Sequence, residues 1–412
     1  MARRELSEAA LAPADQLAPV DLAVGLLTYN NAETIDGVLQ AVAGGVGRFP
    51  DARAALIVAD AGSSDSTRER VAAASLPSVV VEHEAPAGER INVPFHGVPG
   101  RAAALRAAFT VAHRLRARGL VLVEADAVSI TPDWIDRLGG PLLQDKADFV
   151  LATYNRHRYE GTITRLVLAP LVRALYGRRL HYPFGGQQAL SARLIDHLLS
   201  HPKWTSTGID VSDLWITGTA IADSFGLMEA WLGPHQVRSR TRAVDLPSMI
   251  AQTVGAAFTV MERYGDLWLE VRGSEPISTV GEPSAPGVGP ATVEVERMVE
   301  AFRQGARDLT SIWELVLAPE TLAEVLAVDD GERLRFSDDL WARVVYDFAL
   351  GHHYSVVHRD HLLRSLTPLY LGRTAAFVLA TRGVDGAATE SQLEAVAAAF
   401  ERQKPYLVEH WR

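Results

Sequence analysis

Two carboxylates, Glu124 and Asp126, stand two residues apart at the end of the apolar run Val121-Leu122-Val123. Residues at i and i+2 of a strand share a face. Two acids on one face repel each other unless a cation lies between them. Hard divalent cations take oxygen ligands of this kind, a few from protein and the rest from phosphates and water. The pair therefore reads as a metal and diphosphate site at a strand tip; the competing reading is a solvated acidic turn.

The elements that must position the pair follow from the pattern around it. Residues 21–27 (Asp-Leu-Ala-Val-Gly-Leu-Leu) read as a buried strand ending in Thr28-Tyr29-Asn30-Asn31, with a helix beginning near Ala32. Residues 54–59 form a second strand, ending in Asp60-Ala61-Gly62-Ser63-Ser64-Asp65, whose capping residues start a helix over 66–74. A third strand covers 78–82, and Gly97-Val98-Pro99-Gly100 opens an Ala-rich helix from Arg101 to about Ala117. Strands alternating with helices predict an α/β fold with a mostly parallel, doubly wound sheet. Ligands of such sheets bind at the carboxyl ends of the strands, where these polar residues gather.

Residues 1–20 read as a flexible leader. The sheet and an acceptor-side block around Phe184-Gly185-Gly186-Gln187 run from 21 to 272, divided near 147. Residues 273–290, rich in Pro, Gly and Ser, read as a linker or loop, and 291–412 carry helical periodicity.

The 412 residues suffice for two domains. A net charge of -10 opposes general nucleic-acid affinity. The chain has no Cys, which excludes disulfides, thiol catalysis and thiolate metal sites. Met1-Ala-Arg-Arg is followed by Glu5-Leu-Ser-Glu8 rather than an apolar core, and no run reaches the roughly 20 apolar residues of a membrane span, so a soluble cytoplasmic protein is expected. There is no Gly-x-Gly-x-x-Gly after the first strand, no phosphate-binding Gly-Lys-Ser/Thr loop, no His-Glu-x-x-His helix and no Gly-x-Ser-x-Gly elbow.

Thr28-Tyr29-Asn30-Asn31, Asp60-Ala61-Gly62-Ser63-Ser64-Asp65, Pro99-Gly100-Arg101 and Glu124-Ala125-Asp126, in that order, resemble the nucleotide-sugar domain of GT-A glycosyltransferases. The chain is most similar to the retaining enzymes that glycosylate glycerate or 3-phosphoglycerate. Thr131-Pro132-Asp133-Trp134, Pro183-Phe184-Gly185-Gly186-Gln187, Gly208-Ile209-Asp210 and the tail elements Arg373-Thr374-Ala375 and Thr381-Arg382-Gly383 extend the resemblance over roughly 21–400.

The resemblance implies a GT-A domain followed by a helical domain, and Mg2+ or Mn2+ as cofactor. Thr28, Tyr29, Asn31 and Asp60 would edge the base and ribose, with Ser63 beside them. Arg101 would hold phosphate or sugar, where the family often has Lys. Asp126 would be the principal metal ligand, with Glu124 toward ribose or metal and Ala125 between them. The family's Asp-x-Asp here begins with Glu. His235, in Leu232-Gly233-Pro234-His235, would be a further ligand, although it stands about two residues early. Gly185, Gly186 and Gln187 would approach the sugar. Arg156, Thr162 and Thr164 would meet an acidic acceptor, and Asp210 would lie near sugar and acceptor.

Local sequence alone leaves other readings open: helix caps for Asn30, Asn31 and Asp210, a turn cap for Asp60, an exposed helix residue for Arg101 and a surface loop for His235. Enzymes of the resembling group that use 3-phosphoglycerate tend to have Arg where this chain has Thr162, which favours an acceptor without phosphate unless Arg158 or Arg165 compensates.

The activity implied is transfer of glucose or mannose from a nucleotide diphosphate sugar (GDP-mannose, GDP-glucose or UDP-glucose) to D-glycerate or a similar small hydroxy acid, giving a compatible solute. Alternatives are transfer to 3-phosphoglycerate or to a lipid or polysaccharide, and non-catalytic nucleotide-sugar binding. No residue stands out as a glycosidase-type nucleophile, so front-face attack is expected. The resemblance also implies a homodimer or higher oligomer.

Overall fold

The computed structural model describes residues 6–91, 93–94, 96–201, 213–236, 245–283, 293–331 and 333–412. The chain divides into two compact units. The first comprises Met1–Asn155, Phe184–Ala243 and Ser278–Ala285; the second comprises Arg156–Pro183, Val244–Ile277 and Pro286–Arg412.

The first unit holds a sheet of eight strands. In chain order these are β1 (Leu22–Thr28), β2 (Ala54–Asp60), β3 (Ser78–Glu82), β4 (Gly119–Glu124) and β5 (Phe149–Thr153), followed by β7 (Gln188–Ser191), β8 (Leu227–Trp231) and β10 (Ser278–Val280). Two further short strands, β6 (Arg178–Arg179) and β9 (Glu275–Pro276), form a small parallel pair in the second unit. The spatial order is β10-β8-β5-β7-β4-β1-β2-β3. β7 runs antiparallel to both neighbours, and the other pairings are parallel. This is the α/β, mostly parallel architecture expected. β1 is buried along its whole length, as a central strand covered on both faces must be.

The helices of this unit include α1 (Glu8–Leu17), α2 (Ile35–Val46), α3 (Thr67–Ala72), α4 (Ala87–Ile91), α5 (Arg101–Arg114) and α6 (Pro132–Leu143). The leader is thus not frayed throughout. Ser7 caps α1 by accepting from the Ala10 N–H, Leu11 and Ala14 are buried, and Arg114 pairs with Glu8 and Asp15. Nor is 273–290 simply a linker, because Ser278–Val280 adds a strand beside β8.

In the second unit, Arg156–Pro183 and Val244–Ile277 belong with the C-terminal helices, whereas the sequence predicts 156–183 and 244–272 in the sheet domain. The long helices are Leu246–Arg263, Val295–Asp308, Asp338–His353, Arg359–Thr381 and Gly386–His410. Their core carries large aromatic side chains, several of whose polar atoms are satisfied. Trp341 donates to the Leu166 carbonyl at 2.7 Å, Trp313 to Ser365 at 3.1 Å, and the Tyr346 hydroxyl to Phe400 at 2.7 Å. Among the described residues, no helix is long and apolar enough to cross a membrane.

Candidate active site

Strand register brings three tips together in the first unit. Thr28 pairs with Asp60, and Leu27 pairs with Glu124. Beyond the tips, the loops are knitted by short polar side chains. Asp60 is fully buried, and its Oδ1 accepts from the N–H groups of Gly62 (2.9 Å) and Ser63 (2.8 Å) and from Arg68 Nε (2.9 Å) and Nη2 (2.8 Å). Its Oδ2 accepts from the hydroxyls of Thr28 (2.7 Å) and Ser63 (2.6 Å). Burial pushes the Asp60 carboxyl up, but the bonds from Ser63, Thr28 and Arg68 outweigh it and hold the group below the usual range.

Thr28 and Asp60, expected at the base, are therefore fully buried and bonded to each other; their observed work is to fix the loop. The physical reason is saturation, since a carboxylate has about four lone-pair directions and this one already meets six donors from its own chain.

Asn31 is built in a similar way. Its Oδ1 accepts from the Tyr29 N–H at 2.8 Å, its own N–H donates to the Thr67 hydroxyl at 2.8 Å, and its carbonyl accepts from the N–H groups of Thr34 and Ile35 at the start of α2. Asn30 adopts φ 54° and accepts from the Ser64 N–H, a conformation that Asn tolerates better than most residues. The Thr34 hydroxyl donates to the Ala125 carbonyl at 2.7 Å, tying α2 to the acidic turn.

β4 ends at Glu124, and Ala125 and Asp126 lie in a turn. The two acids are therefore not neighbours on one strand face, yet both line a narrow recess together with Asn31, His96, Arg101 and Gly186. Asp126 is 6% exposed. Glu124 Oε2 accepts from the Gln187 amide at 2.9 Å and lies 3.2 Å from His235 Nε2. Burial raises the Glu124 pKa, but His235, the Gln187 amide and the Arg101 charge outweigh it and hold the carboxyl down at about 2.

Gln187, expected along the sugar, is instead fully buried beneath the acid. Its Oε1 takes the Tyr154 hydroxyl, which orients the amide so that Nε2 faces Glu124. The Tyr154 ring also packs on His235 with centroids 4.4 Å apart, and Trp134 joins the cluster at 5.9 Å from Tyr154 and 6.2 Å from His235. His235 is reached by the loop after β8, which is held by the Val128 N–H donating to the Gln236 carbonyl and the Gln236 N–H donating to Ser129. Gly186 lies against Glu124: a Cβ there would stand 2.0 Å from Glu124 Cδ. The observed reason for this glycine is therefore the acid. Gly185 has no comparable neighbour.

Gly100, at φ 65°, opens α5, and a Cβ there would meet the Glu84 carbonyl at 2.6 Å. Its N–H donates to Glu89 at 2.7 Å, and His83 Nε2 lies 2.9 Å from the Pro99 carbonyl. This turn delivers Arg101, which is 8% exposed. Arg101 Nε and Nη2 each donate to Asp213 at 3.0 Å. Asp213 was missed by the sequence reading. Its signal was an acid opening the apolar run Leu214-Trp215-Ile216.

Arg156, Thr162 and Thr164 belong to the second unit. The Arg156 guanidinium lies 5.1 Å over the Tyr182 ring, the Thr162 hydroxyl meets that of Tyr370, and Thr164 is buried at the start of a π-helix, Thr164–Leu168. Asp210, with Gly208 and Ile209, lies outside the described residues.

Glu124, His235 and Asp126 bear the oxygen and nitrogen donors that a divalent cation takes. Among the described residues, however, no three His, Asp or Glu side chains form a cage on their own.

No protein-family model matches the chain. No curated protein matches it. Among solved structures it is similar to glucosyl-3-phosphoglycerate synthase from Mycobacterium tuberculosis in complex with phosphoglyceric acid, at 24% identity and a TM-score of 0.44, over 69% of this chain and 96% of that one. The same enzyme in complex with Mn2+ and UDP-glucose matches at 24% identity and a TM-score of 0.44, over 69% and 95%. A structure described as a mycobacterial protein matches at 26% identity and a TM-score of 0.44, over 64% and 80%.

Proposed function

We propose that the chain is a retaining, metal-dependent hexosyltransferase that moves glucose or mannose from a nucleotide diphosphate sugar to D-glycerate or a similar small hydroxy acid. One observation carries the reading: Glu124, Asp126 and Arg101 line a single recess at the tips of β1 and β4, with His235 on Glu124. Acids and a guanidinium side by side suit a cation and a diphosphate bound together.

In this reading Asp126, Glu124 and His235 would hold Mg2+ or Mn2+. When bound, the ion supplies positive charge to the departing diphosphate. Arg101 has Nη1 outside its pair with Asp213 and would meet a phosphate oxygen or the sugar through it. The Asp60 knot holds the Asn30 and Ser63 loops still, so that the base meets a preformed edge. Gln187 and Tyr154 fix the Glu124 rotamer. In the transfer, the bond from the anomeric carbon to the phosphate oxygen breaks and one to the acceptor hydroxyl oxygen forms on the same face. The acceptor proton passes to the departing phosphate oxygen.

A phosphate-free acceptor is supported by the second unit. Arg165, a candidate to replace the missing Arg at 162, pairs with Glu390 and donates to the Arg158 carbonyl at 3.1 Å. Arg158 in turn donates to the carbonyls of Thr381 and Val384.

The test is a matrix of UDP-glucose, GDP-glucose and GDP-mannose against glycerate, 3-phosphoglycerate and lactate, with Mn2+ or Mg2+, read by released nucleotide and product mass. The reading expects metal-dependent product with glycerate. Nucleotide binding without turnover across the whole matrix would refute it.

A further inference from the structure

His83 has no place in the reaction as drawn above, yet it joins two loops that carry the site. It follows β3 directly and is 5% exposed. Its backbone N–H donates to the Asp60 carbonyl at 3.1 Å, and its side chain reaches the turn before α5, where Nε2 lies 2.9 Å from the Pro99 carbonyl. A carbonyl oxygen only accepts, so Nε2 carries the ring proton. The other ring nitrogen, Nδ1, is buried and has no hydrogen-bond partner among the described residues.

That arrangement suits a neutral imidazole. A second proton would sit on Nδ1, a buried donor without an acceptor. Burial pushes the His83 pKa down. The Pro99 carbonyl, Asp60 on β2 and Glu82 on β3 push it up, Arg90 on α4 adds to the fall, and burial prevails. Glu89, also on α4, is taken by the Gly100 N–H.

The turn that His83 holds is tightly seated. A Cβ on Gly100 would meet the Glu84 carbonyl at 2.6 Å and the Ala85 Cα at 2.9 Å, so the turn is pressed against the residues that follow His83. Arg101 comes next, as the first residue of α5, and Val98 and Arg101 line the recess from either side of the turn. A displacement of Pro99 is therefore passed to Arg101 across a single intervening residue.

We propose that His83 is a positioning residue: its Nε2–H holds the Pro99 carbonyl and so sets Arg101 where the diphosphate of the donor is received. This inference rests on the nucleotide-sugar reading given under Proposed function.

The test is calorimetric titration of UDP and of GDP, each with Mn2+, into the full chain. Four proteins are compared: the natural sequence, His83→Phe, His83→Gln and His83→Asn. Folding of each is checked by circular dichroism and thermal melting. Phe fills the ring volume without a donor, Gln can present an amide N–H where Nε2 stood, and Asn is too short to do so. His83→Phe and His83→Asn are expected to bind the nucleotide at least about tenfold more weakly, the equivalent of one lost polar contact. His83→Gln is expected to stay within about threefold of the natural sequence, a rescue by donor position that a purely space-filling role would not give. Long-range proton–nitrogen spectra of the histidine-labelled chain, with the His83 signals assigned by their loss in His83→Gln, are expected to show a neutral ring protonated on Nε2 near neutral pH.

A folded His83→Phe that binds as tightly as the natural sequence overturns the proposal, as does a folded His83→Gln as weak as His83→Phe, or a ring protonated on Nδ1 alone. Should His83→Phe not fold, His83→Gln and His83→Asn decide: tight binding by the first and weak binding by the second support the proposal, and any other result overturns it. Failure of the natural sequence to bind either nucleotide defeats the nucleotide-sugar reading itself, and the inference with it. Binding that survives in His83→Phe defeats the inference only.

Discussion

Two adjacent glycines give the sharpest test of how the site is built. In Gly186→Ala the new Cβ would stand 2.0 Å from Glu124 Cδ and Oε1 and 2.3 Å from Cγ. Carbon atoms in ordinary contact stand about 3.5 Å apart or more, so Glu124 must retreat by about 1.5 Å. Its carboxylate is held at 2.9 Å by Gln187 and 3.2 Å by His235, and a retreat of that size stretches both contacts beyond hydrogen-bonding range. Hydrogen bonds to a charged group are worth about 1.5–3 kcal/mol each, and overpacking adds about 1–3 kcal/mol. Partial relaxation leaves an expected loss of about 2–4 kcal/mol in chemical denaturation. Misplacing the acid by more than 1 Å is expected to lower turnover by about 100-fold.

Gly185→Ala is the control. Its Cβ has no neighbour closer than the Gln187 carbonyl at 3.9 Å, so its stability should stay within about 0.5 kcal/mol. Both variants would be unfolded in urea and assayed with donor and Mn2+. If Gly186→Ala matched Gly185→Ala in both measurements, the reasoning about Glu124 would be wrong.

Replacing Asp60 by Asn should destabilise the protein by about 3–5 kcal/mol, because an amide cannot meet the donors that converge on this buried acid. Its folded pKa lies below the ordinary 3.8, so its contribution is present above that value and fades as pH falls through the folded pKa. Acid titration of stability should therefore be shallower in the variant.

Lys404, 7% exposed and bonded to the Val271 carbonyl, also has a lowered pKa, here because burial and Arg272 disfavour its charged form and bring it down from 10.5 to about 8. Between these values the unfolded chain holds a proton that the folded chain lacks. Stability should rise with pH across that window by up to about 3 kcal/mol, and Lys404→Met should flatten the rise in denaturation series. His235→Ala should weaken Mn2+ binding by about 10- to 100-fold, and an unchanged titration would remove His235 from the ligand set. Mass spectrometry of the enzyme during turnover should show no covalent glycosyl adduct at Asp210; trapping one would contradict front-face transfer.

The strands that carry the site were legible in the sequence because their signals are local. β1 to β4 are apolar runs ending in polar residues, and the structure places all four within a residue or two of the expected bounds. What was not legible depends on distant partners. β7 has only four residues, Gln188–Ser191, and is a strand because β4 and β5 flank it. The helix over 8–17 gains its anchor from Arg114, about a hundred positions away. The membership of 156–183 and 244–277 with the C-terminal helices rests on contacts such as Trp341 to Leu166.

At the site, residue types were readable and their directions were not. Glu124, Asp126 and Arg101 do line one recess. Gln187 and Asp60 looked like ligand-facing polar groups, yet the structure turns both inward, where neighbouring hydrogen-bond donors and acceptors satisfy them. Asp213 was invisible because its partner Arg101 lies 112 positions earlier.

Crystals soaked with Mn2+ and a nucleoside diphosphate sugar, examined by anomalous scattering at the manganese edge, give the most direct measurement. The predicted result is one strong peak within coordination distance of Asp126, with Glu124 or His235 beside it and the diphosphate completing the shell. A peak elsewhere, or a donor seated with its diphosphate away from these side chains, would contradict the account.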